Sequence, residues 1–236
     1  MILLDIEGTT TPLAFVTQVL YPFARTHLRS YLHRHGHSPQ YESLMAAFRE
    51  EHAADERAGE PVLPWPADAT DARPAVQAYA EWLMDRDRKS PALKELQGYI
   101  WEEGYQRGEL VGEVYEDVPR AFARWRRENV RLGIFSSGAV LAQRWLFRRS
   151  TAGDLSPFLH WYFDTHAGPK KDPASYRRIA EEVGELPPKV LFVSDMLPEL
   201  DAARDAGLGT IMTLRPNNVP QPPHDHRTVT SFDEIR

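Results

Sequence analysis

MILLDIEGTT, residues 1–10, is the stretch on which the fold turns. Ile2, Leu3 and Leu4 form an apolar run with no polar residue among them, the pattern of a strand buried on both faces in a parallel sheet covered by helices. Asp5 and Glu7 follow at once, one residue apart, and then come Gly8, Thr9 and Thr10. Two carboxylates crowded at the end of a buried strand repel each other unless a cation or a set of donors sits between them. In an open parallel sheet the carboxyl ends of the strands are also where ligands bind. The question this stretch raises is which other strands end beside it.

Three more apolar runs read as buried parallel strands: residues 130–135 (VRLGIF), 190–193 (VLFV) and 210–214 (TIMTL), each bounded by polar residues or glycine and each next to a helical pattern. Residues 161–163 and 228–230 are weaker strand candidates. Helix starts fall between them. Asp172 offers an N-cap oxygen ahead of Pro173 at the first helical position, and the segment after Asp117 opens in the same manner around Pro119. Gly207 closes a helix that carries Ala202, Ala203 and Ala206. Strands alternating with helices predict an α/β layer fold with right-handed crossovers.

Residues 15–112 break that rhythm. Phe15, Val19, Phe23, Leu28, Tyr31 and Leu32 follow helical spacing, as do Tyr41, Leu44, Met45 and Phe48. Further helices are expected over residues 75–86, with Val76, Tyr79, Trp82 and Leu83, and from Ser90-Pro91 onward, with Leu93, Leu96, Ile100 and Trp101. Four prolines between residues 61 and 74 make that stretch a stiff irregular connection. The expected organisation is a core from residues 1–14 and 113–236, interrupted by a helical insert over 15–112. No internal repeat is visible, and PNNVPQPP from residue 216 reads simply as a loop.

Composition narrows the function classes. The 236 residues suffice for one well-buried core and a smaller second unit. With 42 % hydrophobic and 26 % charged residues and no apolar run near the ~20 residues of a bilayer span, the chain reads as globular and not membrane-bound. The first residues run straight into the apolar strand without a basic region or a cleavage site, so the expected compartment is the cytoplasm. The absence of cysteine excludes disulfides, thiolate metal sites and a cysteine nucleophile. A net charge of −6 without a long basic run argues against a nucleic-acid partner.

The strand ends carry the chemistry. After the first strand stand Asp5 and Glu7; after 130–135 come Ser136, Ser137 and Gly138; Lys170 follows the weak strand across a Gly-Pro loop; after 190–193 come Ser194, Asp195 and then Glu199. Carboxylates gathered from separate strands are hard oxygen ligands of the kind Mg²⁺ takes, with positions left for phosphate. With the metal present, Asp5 can attack phosphorus as a nucleophile and become an aspartyl-phosphate. Ser136 or Ser137 and Lys170 would hold the phosphate oxygens, Glu7 would protonate the leaving oxygen and deprotonate water, and Asp195 would bind the metal.

DIEGTT, FSSG, Lys170 and DMLPE, in that order, resemble the haloacid dehalogenase (HAD) superfamily of aspartate-nucleophile phosphatases. Most of those phosphatases have Asp where this chain has Glu7. Within the superfamily, DIEGTTTPLAFV, IFSSGAVLAQRWLF, FDTHAGPKKDPASY and DMLPELDAARDAG resemble the enolase-phosphatase family of methionine salvage across essentially the whole chain. The resemblance implies a HAD-like Rossmannoid parallel sheet with an inserted, mostly helical cap. It implies enolisation of 2,3-diketo-5-methylthiopentyl-1-phosphate followed by release of its phosphate, with one Mg²⁺ per subunit and a small phosphorylated molecule as partner; the chain itself is expected to act as a monomer. It carries over Asp5, the backbone carbonyl of Glu7 and Asp195 as metal ligands, and Ser136, Ser137 and Lys170 as substrate contacts. The enolisation base stays open between Glu7 and Glu199.

Simpler roles compete for several of these residues. Ser136 and Ser137 could form only a turn ahead of a helix, and Glu199 could serve the dipole of the following helix as readily as the metal's water, so Glu199 is not counted in the site. Lys170 is chosen over its neighbour Lys171 by the family's spacing. His33, His35 and His37, and again His224 and His226, invite a metal reading, but a solvated surface role is preferred. Trp82 and Trp101 are read mainly as core of the insert. A different HAD phosphatase, acting on another small phosphate ester, is the competing function.

Overall fold

The computed structural model describes residues 1–36, 38–66 and 71–236, so His37 lies outside the described residues. Among those described, six strands form one sheet: β1 (Ile2–Leu4), β2 (Leu132–Phe135), β3 (Leu159–Phe163), β4 (Leu191–Ser194), β5 (Gly209–Thr213) and β6 (Arg227–Val229). Their order is β3-β2-β1-β4-β5-β6 and every neighbouring pair is parallel. The helices are α1 (Leu13–Phe15), α2 (Tyr21–His35), α3 (Pro39–Arg57), α4 (Arg73–Asp85), α5 (Pro91–Arg107), α6 (Asp117–Arg127), α7 (Val140–Arg148), α8 (Pro173–Glu182) and α9 (Leu197–Asp205). This is the expected α/β class, and both weak strand candidates are strands, with edges moved by one or two residues.

The topology decides where chemistry can occur. From β1 the chain builds β2 and β3 to one side, then returns to lay β4, β5 and β6 on the other. The order therefore reverses between β1 and β4, and the carboxyl ends of those two strands are where open parallel sheets bind ligands. Register pairs Leu4 with Val193, so Asp5 and Ser194 emerge side by side at that reversal.

Burial follows from the pleat. Leu3 packs with Phe135, Phe163, Phe192 and Met212 against Tyr176, Ile179 and Ala180 of α8 and Leu200 and Ala203 of α9. Ile2 and Leu4 alternate to the opposite face. A cluster of rings there joins Phe122 and Trp125 of α6 to Phe147, Phe158 and Phe232 at centroid distances of 5.5–6.2 Å.

The predicted N-cap at Asp172 is present: its side chain accepts from the Ala174 amide at 2.9 Å. The analogous reading of Asp117 is corrected. Helix α6 starts at Asp117 itself, which caps nothing; its Oδ2 accepts from Arg215 Nη1 at 2.8 Å, from Ser231 Oγ at 3.1 Å and from the Phe232 amide. A buried cation and a C-terminal turn outcompeted the local capping role.

The chain divides into two compact units, Met1–Val19 with Tyr105–Arg236, and Leu20–Gly104. The second holds α2, α3, α4 and most of α5. Helix α5 opens at Ser90, whose Oγ accepts from the Leu93 amide at 2.9 Å, while Glu51 accepts from the Ala92 amide and from Ser90 Oγ. Leu28, Leu44, Phe48, Val76, Leu83, Leu96 and Ile100 are buried there, as are Trp82 and Trp101. The helical stripe from Phe15 is interrupted by a π turn, Val16–Leu20, because Pro22 has no N–H to return to the carbonyl four residues back. Val19, expected inside, is consequently 37 % exposed.

Candidate active site

The loop after β1 is wound around one carbonyl. Thr9, Thr10 and Thr11 all donate their amides to Ile6 O at 2.9–3.1 Å, and Thr10 Oγ1 donates to Asp5 O at 3.2 Å. This tight winding needs φ = +67° at Gly8, a conformation side chains resist. It also needs the absence of a side chain. A Cβ on Gly8 would stand 2.3 Å from Asp195 Oδ2. The glycine thus lets the β1 loop close onto the residue that follows β4.

Asp5 is buried, and both of its oxygens are engaged. Oδ1 accepts from the Ile6 amide at 2.8 Å and lies 2.7 Å from Lys170 Nζ, while Oδ2 lies 3.1 Å from Ser194 Oγ. Lys170 Nζ also reaches Glu199 Oε2 at 2.6 Å, and Ser194 Oγ stands 3.1 Å from that same oxygen. One hydroxyl proton serves one acceptor at a time, so Ser194 joins the two carboxylates without satisfying both.

Lys170 is placed by helix α8. Tyr176 Oη donates to Lys170 O at 2.6 Å and Ser175 Oγ donates to Pro169 O at 2.8 Å, anchoring the loop between β3 and α8. Gly168 allows the approach, since a Cβ there would fall 2.2 Å from Ser175 Oγ. Lys170 is buried and Lys171 is exposed.

The electrostatics are those of an anionic cluster with one ammonium. Burial draws the Lys170 ammonium down, but Asp5 and Glu199 outweigh it and hold the group above its ordinary value, fully charged. Burial first, then the Asp5 and Glu199 charges, push Asp195 up to about 7. Glu199 is raised by burial and by Asp5, against the pull of Lys170 and Ser194. Three carboxylates against one cation leave negative charge to be balanced.

Among the described residues no group of three His, Cys, Asp or Glu is arranged to hold a metal. Mg²⁺ asks for less: one or two carboxylates, with the remaining positions given to other oxygens. Asp5 and Asp195 with a carbonyl of the β1 loop form such a hard, anionic donor set, and Asp195 would return to its ionised form beside a cation. The residues fit the ion.

Ser136 lies at the end of β2, buried, its Oγ accepting from the Gly138 amide at 3.1 Å. It shapes a turn and caps no helix, because α7 begins at Val140 with Ala139 before it. Ser137 is exposed and Glu7 half-buried. Glu199, not counted in the site from sequence, sits inside the Lys170 cluster. The solvated surface role expected of His226 is corrected: it is buried, bonding Thr210 Oγ1 at 2.7 Å and Asp201 at 3.1 Å.

A family model described as haloacid dehalogenase-like hydrolase matches residues 1–207. Enolase-phosphatase E1 of Synechococcus elongatus is 48 % identical over 234 residues, covering 99 % of this chain and 96 % of the relative. The chain belongs to the enolase-phosphatase E1 family. Enolase-phosphatase E1 of Azotobacter vinelandii is 43 % identical over the same coverage of both chains. The crystal structure of the UTR4 protein of Saccharomyces cerevisiae aligns with a TM-score of 0.78 at 30 % identity, covering 99 % of this chain and 98 % of that one. CbbY from Rhodobacter sphaeroides, at 18 % identity and a TM-score of 0.58, shares the fold alone. This enolase-phosphatase family member is thus a haloacid dehalogenase-like hydrolase, matched from its first strand through α9.

Proposed function

We propose that this chain enolises 2,3-diketo-5-methylthiopentyl-1-phosphate and then hydrolyses the phosphate to give 1,2-dihydroxy-3-keto-5-methylthiopentene, using Asp5 as nucleophile. The observation that carries the reading is the convergence of Asp5, Lys170 and Glu199 in one buried cluster at the strand-order reversal. An Asp5 oxygen attacks phosphorus, the bond to the enol oxygen breaks with its electron pair, and Glu7 gives that oxygen a proton. Glu7 then takes a proton from water, which attacks phosphorus; the bond to Asp5 breaks, freeing the carboxylate and inorganic phosphate.

Lys170, charged and already 2.7 Å from Asp5, would steady the phosphoryl oxygens with Ser136 and Ser137. Asp5, the carbonyl of Glu7 and Asp195 would hold one Mg²⁺, which when bound offsets the repulsion between the carboxylates and the phosphate. The insert over 15–112 is proposed as the cap. Action as a monomer is proposed from the sequence. A cytoplasmic setting is proposed from the sequence; no described helix is long and apolar enough to cross a membrane.

The test incubates the protein with Mg²⁺ and the diketone phosphate while following enol absorbance and free phosphate together. Asp5→Asn is expected to abolish phosphate release, and retained release removes the covalent reading. Broad turnover of sugar phosphates without enolisation would favour a different phosphatase of the superfamily.

A further inference from the structure

The loop between β5 and β6 carries a side chain with a buried, unanswered oxygen. Asn218 Nδ2 donates to Gly8 O at 2.9 Å and to Thr213 O at 3.4 Å. Both partners are carbonyls, so only the nitrogen can face them and the orientation of the amide is fixed. Its Oδ1 is shielded from solvent and has no hydrogen-bond partner in the protein. Buried acceptors are ordinarily paired, and one that is not points to a water or an ion.

The direction of that oxygen is informative. A methyl-sized atom on Gly8 would meet Asp195 Oδ2 at 2.3 Å and Asn218 Oδ1 at 2.9 Å, so both oxygens border the space left by the missing side chain. A carbonyl oxygen cannot donate, nor can an ionised carboxylate. An ion held by Asp195 can present a water whose hydrogen answers Oδ1, since Mg²⁺ keeps several of its waters when carboxylates bind it. We propose that Asn218 is a positioning residue of the cation site, its Oδ1 accepting a hydrogen bond from a water of the ion that Asp195 holds, while its Nδ2 holds the Gly8 carbonyl. The inference rests on the reading of Asp195 as a Mg²⁺ ligand.

Calorimetric titration of the full chain with MgCl₂ tests it, beside melting temperatures in a chelator. Asn218→Ala is expected to weaken Mg²⁺ binding about 10–100-fold, the usual cost of losing an outer-shell partner. Asn218→Asp loses the same two amide donations but keeps an oxygen, and is expected to bind Mg²⁺ at least as well as the parent. Both should lower the metal-free melting temperature, Asn218→Asp the more because it adds a carboxylate beside Asp195, so a merely structural role would not spare its Mg²⁺ affinity. Asn218→Ala binding within twofold of the parent, or Asn218→Asp falling as far as Asn218→Ala, overturns the proposal. A parent chain that binds no Mg²⁺, or an Asp195→Asn variant that binds it unchanged, overturns the underlying reading instead.

Discussion

Lys170 holds its ammonium 2.7 Å from Asp5 Oδ1, with only 7 % and 6 % of the two side chains exposed. Charges this far from water are costly to separate, because the partner left behind stays desolvated and uncompensated. Here the partner is a cluster, since Glu199 is also 2.6 Å from the same nitrogen. Lys170→Met is expected to cost about 3–5 kcal/mol of stability, measured by urea unfolding without metal. It is also expected to lower the kcat of phosphate release by about 10²–10³, the usual effect of removing one preorganised donor. A kcat within tenfold of the parent would mean that the ammonium serves folding and not the reaction.

Asp195 gives the metal a pH dependence. Burial and the Asp5 and Glu199 charges lift it from an ordinary 3.8 to about 7. A raised carboxyl binds a proton more tightly folded than unfolded, so its contribution to metal-free stability is complete below 3.8 and is lost as pH rises through about 7. Mg²⁺ competes for the same carboxylate, and its affinity should climb with pH up to that point. The rise in melting temperature on saturating with Mg²⁺ is expected to be larger at about pH 8 than at about pH 5.5, by scanning fluorimetry. Equal increments at both pH values would place the ion away from Asp195.

The parts of this site legible in the sequence are those tied to the ends of buried runs. Asp5, Ser136 and Asp195 follow strands whose largely apolar character announces them, and Lys170 follows a strand visible only faintly. Glu199 was harder: its place in the first turn of α9 is explained equally well by the helix dipole, and only burial against Lys170 separates the two. Asn218 gave no signal, because its partner Gly8 is 210 residues away and a proline-rich loop has no period to read. At Asp117 a sound local rule led to the wrong role, since capping depends on neighbours while a buried ion pair depends on the fold.

That ion pair sets the last expectation. Asp117 and Arg215 have side chains only 7 % and 4 % exposed, and Arg215 also donates to Thr9 O at 3.1 Å and Thr230 O at 3.0 Å. Its guanidinium lies between the Tyr115 and Phe232 rings, 4.5 and 4.7 Å from their centroids. The pair therefore ties the loop after β1 to the C-terminal turn, and neither charge can reach water if the other is removed. Asp117→Ala is expected to cost about 3–5 kcal/mol in urea unfolding. Breaking the Arg25–Asp85 pair, whose side chains are 49 % and 54 % exposed, should cost about 1 kcal/mol or less. Since Arg215 holds the Thr9 carbonyl in the turn that follows Asp5, Asp117→Ala should also lower phosphate release at temperatures where the variant is fully folded, and Asp85→Ala should not. Equal losses of stability in the two variants would show that solvent reaches Arg215 and that the clamp is not closed.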